Sequence, residues 1–477
     1  MQLISEFAER GILLWTEDGK LKFRATKSAL TTEDKETLKQ HKEKIIAYLN
    51  HQKELASKAF PLTSIQKSYL TGRDEIYDLG GINTHYYMEL TSDIPLDACK
   101  MEEALNETIA HCDAMRLIIF KNGTQAVLED VPHVNIKEYT FTSAEERLKG
   151  RSEWNHHIYQ LDQWPLFTFR ISHVSGEKDI LHIDFDCIIM DSFSAKIAIT
   201  QMLKIYNGET VTWPGYSFKQ YSEELSAFES KQDYSAAEAY WKGKVNEIVV
   251  EPDLPYAKPL SEIHNHRFDR MTGGITKEEY VKLQQVAKNY RSTPSAIVSC
   301  VLLKTLLKHS KGNAITINST LYNRQPLHKD IYSVVGDFTN IAYLTLSKNA
   351  GSFLQSIQAV QKEMWQFVRF HSYDGTKILK FKENLRPMKA QLPIVLTCVL
   401  DGGKTVNTLP GGIRQTNSLS KTPQVVLDYQ VTDFDGSLSL CFDYVKMAFE
   451  YSTIKEIMDD NIALLRRLLT EDWNQIE

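Results

Sequence analysis

At 477 residues the chain is long enough for two or three domains. Its 55 Lys and Arg stand against 61 Asp and Glu, a net charge of −6, and nothing in that balance predicts the basic face that nucleic acid would need. No apolar run reaches the roughly 18 to 20 residues of a membrane span, and the start lacks the basic and apolar regions of a signal peptide, so the expectation is a soluble, cytoplasmic protein without a membrane partner.

In chain order, Leu3, Ile4 and Phe7 mark one face of a short helix ending at Gly11, and Ile12 to Trp15 reads as a strand. Asp18-Gly19 favours a tight hairpin into a strand from Leu21 to Arg24, and a second helix after Thr31 or Thr32 carries Leu38, Ile45, Ile46 and Leu49. Residues 1–52 thus form a small unit, and its hairpin edge can accept a strand from another chain. The polar, Lys-rich stretch 53–59 reads as a linker.

A helix capped by Asp97 carries Met101, Leu105 and Ile109 and leads to a strand at Leu117 to Phe120. Leu181 to Asp186 is strand-like, and Ser192 to Tyr206 repeats apolar residues at helical spacing. Polar, helical sequence between Trp213 and Val245 marks the crossing from a first lobe, 60–230, to a second, 231–477. The second lobe shows a capping box at Thr276 and Glu279 and a helix opened by Thr293-Pro294 whose residues from Ser295 to Leu307 are apolar nearly all round. Strand-like Ala314 to Tyr322 leads into Asn323-Arg324 and Gly336-Asp337-Phe338-Thr339; a strand at Leu392 to Thr397, a glycine-containing loop from Asp401 to Gly412, the strand Val425 to Tyr429 and a capped helix from Ile454 to Leu469 complete the chain.

The chemistry-bearing stretch is Asp186-Cys187-Ile188-Ile189-Met190-Asp191-Ser192-Phe193-Ser194. Five residues apart, about 500° around a helix, the two aspartates would diverge on one; a strand, a tight turn and a helix start bring them together. Asp191 also suits an ordinary helix N-cap, and Asp186 a strand end. The six cysteines lie far apart with no CxxC pair, which speaks against a metal site or a disulfide framework. The doublet His156-His157 reads as a satisfied structural pair.

Several of these segments resemble known families. Gly11-Ile12, Asp18-Gly19-Lys20-Leu21, Ala29-Leu30-Thr31 and His41-Lys42 resemble the TubC-type N-terminal docking domain of modular peptide synthetases. Phe60-Pro61-Leu62-Thr63 with Gln66, Tyr69 and Gly72-Arg73, the pattern DxxxxDxxS from Asp186 to Ser194, and Thr422-Pro423-Gln424 through Asp428 resemble the heterocyclization domains of nonribosomal peptide synthetases, from about Phe60 to the C-terminus. The resemblance implies an α/β fold of the condensation-domain superfamily: two chloramphenicol-acetyltransferase-like lobes in a V, with a tunnel between them, preceded by the small α/β docking domain.

It also implies an activity. An upstream acyl or peptidyl thioester is joined to the amine of a carrier-bound Cys, Ser or Thr, and the product loses water to become a thiazoline or oxazoline. Both thioesters ride on phosphopantetheine arms of partner carriers, so no cofactor is expected on this chain. The upstream carrier is expected on a separate polypeptide, reached through the docking domain. A downstream peptidyl carrier and an adenylation domain are expected in the same synthetase, of which this chain would be a piece. Ordinary condensation domains carry HHxxxDG here, so Asp186 and Cys187 fall where two histidines would stand, and a thiol in apolar surroundings is a poor base.

Within the family the cyclodehydration is attributed to the positions matching Thr397 and Asp428, and a carboxylic acid with a raised pKa can donate and accept a proton in turn. Ser194, Asn323 and Gln424 are weaker positioning candidates, and Lys421, where the family usually has Gln, points to a different rim. For Asp191 the expectation is a structural salt bridge to Arg324; Asp186 is left without a role. Condensation without cyclization, and a non-catalytic docking or gating module, are the competing readings.

Overall fold

The computed structural model describes residues 2–25, 30–264, 266–383, 385–386, 388–402 and 408–476. Ala29 of the docking pattern and residues 403–407 of the glycine-containing loop lie outside the described residues.

The N-terminal unit packs the helix Gln2–Glu9 and two further helices against a hairpin of strands Ile12–Glu17 and Lys20–Ala25. Asp18 and Gly19 take φ of 49° and 72°, the left-handed pair that a two-residue hairpin turn of this sequence requires. Phe7, Ile12, Leu38 and Ile45 form its small core. The single second helix expected from the sequence is two, Thr32–Gln40 and Lys42–Ser57, broken at His41. The second of them runs through most of the stretch read as a linker, because Leu55 buries against Ile118 and Ala126 of the next domain.

Beyond Ala59 the chain builds two lobes, each around a sheet. The first sheet orders its strands Arg414–Lys421, His85–Thr91, Ile180–Asp186, Phe167–Val174 and Lys137–Phe141. The second orders Phe268–Ile275, Leu438–Val445, Leu427–Thr432, Ile394–Val399, Ala314–Tyr322 and Thr339–Ser347, with parallel pairing on both sides of Ile394–Val399. The Arg414–Lys421 strand, which the sequence did not suggest, belongs to the second lobe by chain order yet pairs antiparallel with His85–Thr91 of the first. Its residues, Arg-Gln-Thr-Asn-Ser-Leu-Ser-Lys, carry almost no apolar alternation, so its strand character comes from that partner edge.

Alternation fixes what each sheet presents. In Ile180–Asp186 every residue is buried: Leu181, Ile183 and Phe185 join Met101, Leu105, Ile199 and Met202 in the core, while His182, Asp184 and Asp186 point to the opposite face. In the second sheet Leu427, Tyr429 and Val431 join the core that contains the Pro294–His309 helix, and Asp428 and Gln430 point the other way, toward the crossing strand. The expected capping box at Thr276 and Glu279 and the N-cap at Thr293 are both formed. The last helix, Tyr451–Arg467, starts earlier than expected and has no side-chain cap.

Candidate active site

The stretch from Asp186 to Ser194 is a strand end, a tight turn and a helix start. Asp186 is fully buried; its Oδ2 lies 3.3 Å from Nη1 of Arg73 and its Oδ1 accepts the Ile188 N–H at 3.1 Å. Burial pushes its carboxyl up, against the pull of Arg73. Asp191 is the N-cap of the Ser192–Tyr206 helix: Oδ1 accepts the Ser194 N–H at 2.7 Å, and Oδ2 accepts the Phe338 N–H at 3.0 Å.

The expected Asp191–Arg324 salt bridge does not form. Arg324 donates from Nη2 to the Ser194 hydroxyl at 2.7 Å and from Nη1 to the carbonyls of Ile331 and Val334, both at 2.7 Å, and its guanidinium lies 3.9 Å from the Phe338 ring centroid. Asp191 already has two backbone N–H donors, so only the longer-range attraction of Arg324 reaches it. Ser194 completes the strap: its hydroxyl donates to the Gly336 carbonyl at 2.6 Å and accepts the Gly336 N–H at 3.1 Å. Gly336 is required for space, since a Cβ there would come 2.1 Å from the Phe218 ring. Gly336→Ala should therefore destabilise the fold by about 1 to 3 kcal/mol, read as a lowered denaturant midpoint.

Across from this turn, Asp428 is 5% exposed, with Oδ2 accepting from the Gln430 amide at 3.1 Å and Oδ1 without a partner. Burial and the neighbouring Asp443 push its carboxyl up to about 6. Gln430 cannot turn its amide over, because Arg270 donates to its Oε1 at 3.0 Å, and Arg270 is itself held by both oxygens of Asp443, at 2.6 and 2.5 Å. Thr397 pairs in register with Gln430 on the adjacent strand, so it shares the face that carries Asp428, and its hydroxyl accepts from Thr320 at 3.2 Å.

The Cys187 thiol lies among these groups. Burial raises it well above the ordinary thiol range, and the charges of Asp186, Asp337, Asp191 and Asp428 add to this, so the thiol stays protonated. Asp186, Asp191, Asp428 and Cys187 are therefore close enough to influence one another, while Asn323 and Gln424 have their own contacts. Asn323 spends its amide on the His371 carbonyl and on Gln325, and Gln424, at φ 64°, lies against Gly72.

His156 is satisfied, its ring between the Ser152 carbonyl and the Phe268 N–H. Lys421, expected at a rim, is buried: its Nζ reaches the His157 carbonyl at 3.4 Å, and burial pulls it down to about 7. Behind the turn lies a buried ionic group that the sequence alone does not single out, in which Asp184 meets Arg170, Tyr159 and, at 3.4 Å, His85. Alternation in His182-Ile183-Asp184-Phe185-Asp186 was its signal, since the charged positions share one face.

Residues 56–476 match the condensation domain family and residues 1–51 the TubC N-terminal docking domain, so the chain belongs to the condensation domain family, behind a docking domain of the TubC type. It is 28% identical over 433 residues to bacitracin synthase 1 of Bacillus licheniformis, covering 88% of this chain and 8% of that protein. It is 26% identical over 492 residues to pyochelin synthetase PchF of Pseudomonas aeruginosa, covering 98% of this chain and 27% of that one. The chain thus spans well under a third of either relative. In fold it is similar to the EpoB NRPS cyclization-docking bidomain from Sorangium cellulosum, with a TM-score of 0.78, 24% identity and 99% of each chain covered. Among the described residues no helix is long and apolar enough to cross a membrane.

Proposed function

We propose that this chain joins a carrier-bound acyl or peptidyl thioester to the amine of a carrier-bound Cys, Ser or Thr and then cyclodehydrates the product to a thiazoline or oxazoline. We divide it into a docking domain at 1–52 and lobes at 60–230 and 231–477. The observation that carries the reading is Asp428, a buried carboxyl with one unpartnered oxygen and a pKa pushed up to about 6, on a chain with Asp186 and Cys187 where simple condensation places two histidines. In ring closure the acceptor's thiol or hydroxyl attacks the new amide carbonyl and gives its proton to the Asp428 carboxylate. The resulting acid returns that proton to the carbonyl oxygen, making it a hydroxyl; the carboxylate then takes the amide nitrogen's proton and passes it to that hydroxyl, and water leaves as the C=N bond forms. Thr397 hydrogen-bonds the departing hydroxyl from the same sheet face. Asp186, Asp191, Ser194 and Arg324 form the frame of the site.

The carriers bring their phosphopantetheine arms from either side, the upstream one from a separate polypeptide. Support for that arrangement comes from the hairpin's outer face, where Leu13 and Trp15 are 56% and 41% exposed and pair in register with Arg24 and Lys22. Apolar anchors beside cations suit an acidic segment carrying apolar side chains. Trp15→Glu should reduce acyl transfer from a separate upstream carrier about tenfold, the loss of about 1.4 kcal/mol of docking energy, while leaving transfer intact when that carrier is fused to the chain. Equal transfer from the separate carrier would remove the docking assignment. The function as a whole is tested by incubating the chain with acyl-loaded and cysteinyl-loaded carriers and weighing the products.

A further inference from the structure

The Asp186 to Ser194 turn holds something in place. Asp191 accepts the Phe338 N–H and donates its own N–H to the Gly336 carbonyl at 3.1 Å, while Ser194 grips Gly336 through both its backbone groups. The residue between these two anchors is Asp337, which is 1% exposed. Its Oδ1 accepts the Thr339 N–H at 3.1 Å, and its Oδ2 has no hydrogen-bond partner. Asp186 has Arg73 and Asp443 has Arg270, whereas no ion pair reaches Asp337 among the described residues.

Asp337 borders a cleft between the lobes, lined by Thr63 and Ser64 on one side and by Asn323, Thr339 and Asn340 on the other. The titratable groups around it are Asp191, Asp186 and Cys187 from the turn and Tyr69 from the Ser64–Gly72 helix, with Tyr221, Glu229 and Asp374 on the same cleft. Arg324, which braces this turn, is engaged by Ser194 and two carbonyls. Burial first and then the charge of Asp191 push the Asp337 carboxyl well above its ordinary range, which favours its protonated form. In that form Oδ2, which has no hydrogen-bond partner here although the Thr339 side chain approaches the same carboxyl, can donate to a ligand oxygen.

The geometry points to Asp337 as a second catalytic residue, one that acts in amide formation: its Oδ2 hydroxyl donates a hydrogen bond to the thioester carbonyl oxygen as the amine attacks. The assignment rests on the function proposed above. In the step the N–C bond forms and the C–S bond breaks, and the attacking nitrogen's proton ends on the departing pantetheine sulfur. Asp337 keeps its own proton and stabilises the negative charge that develops on oxygen, as a preorganised donor in a water-poor site does. The Asp186 to Ser194 pattern then serves amide formation indirectly, by clamping the turn that carries this donor.

The test uses the full chain with both carriers loaded and follows amide and ring separately by mass. Asp337→Asn keeps a neutral donor and the Thr339 contact, so amide formation should stay near the wild-type rate at neutral pH. It should also lose the decline at high pH that the wild type shows as Asp337 ionises. Asp337→Leu should slow amide formation about 10²- to 10³-fold, the loss expected for one oxyanion donor. An Asn variant as slow as the Leu variant, or a Leu variant as fast as wild type, would overturn the inference. If the Leu variant fails to fold, the pH profile of the Asn variant decides: a high-pH decline identical to the wild type's also overturns it. A wild-type chain that makes no amide would overturn the proposed function and this inference together, whereas the variant results bear on this inference alone.

Discussion

Asp428→Asn should let linear amide accumulate while ring formation falls about 10²- to 10⁴-fold, the contribution of a positioned acid–base group. The substitution preserves shape, and the Asn side-chain oxygen can still accept from Gln430, so the fold should be untouched. What is lost is a proton that can be both taken and given. Because the carboxyl is pushed up to about 6, both of its forms are populated near neutrality, and the wild-type ring-closure rate should change through that pH while the Asn variant shows no such limb. The sign for stability follows from the same shift. A carboxyl raised in the folded state stabilises the fold below its unfolded value, and that contribution is lost as pH rises through about 6; the Asn variant should lack this dependence. Amide and ring falling together would show that Asp428 does not divide the two steps.

Asp191→Ala should act on stability. The side chain caps the Ser192–Tyr206 helix, worth about 0.5 to 2 kcal/mol, and pairs the buried Phe338 N–H, whose orphaning costs about 1 to 3 kcal/mol. Together these give a loss of about 1.5 to 5 kcal/mol, seen as a lower urea midpoint at unchanged slope. The removed group is held by backbone N–H donors rather than by an ion pair, so Arg324 keeps its hydrogen bonds and loses the longer-range attraction of Asp191. Asp191→Ser, which keeps a short cap and gives up the Phe338 contact, should fall between the two. A midpoint unmoved by Asp191→Ala would contradict the framework role.

The elements that local pattern specifies were legible: the docking hairpin with its Asp-Gly turn, the capped helices at Asp97, Thr276 and Thr293, and the strand–turn–helix around Asp186. Those set by distant contacts were not. Arg414–Lys421 is a strand because His85–Thr91 offers an edge, and the helix past Asn50 continues because Leu55 packs on Ile118 and Ala126, facts that no window of sequence contains. The candidate site divides the same way. Asp428 stands out as a charge in the apolar run Val425 to Tyr429, whereas the Arg270 that fixes its Gln430 neighbour lies on a strand with no such contrast. The Asp191–Arg324 pairing failed for a related reason: opposite charges in the sequence cannot report that backbone amides have already satisfied the carboxylate.

Whether one chain both condenses and cyclises is read from the intact mass of the downstream carrier after incubation with this chain and a loaded upstream carrier. The expected product is a cysteinyl carrier heavier by the acyl group and lighter by one water, appearing after a linear amide of the full mass. A linear amide that never loses water, under conditions in which it forms readily, would contradict the account.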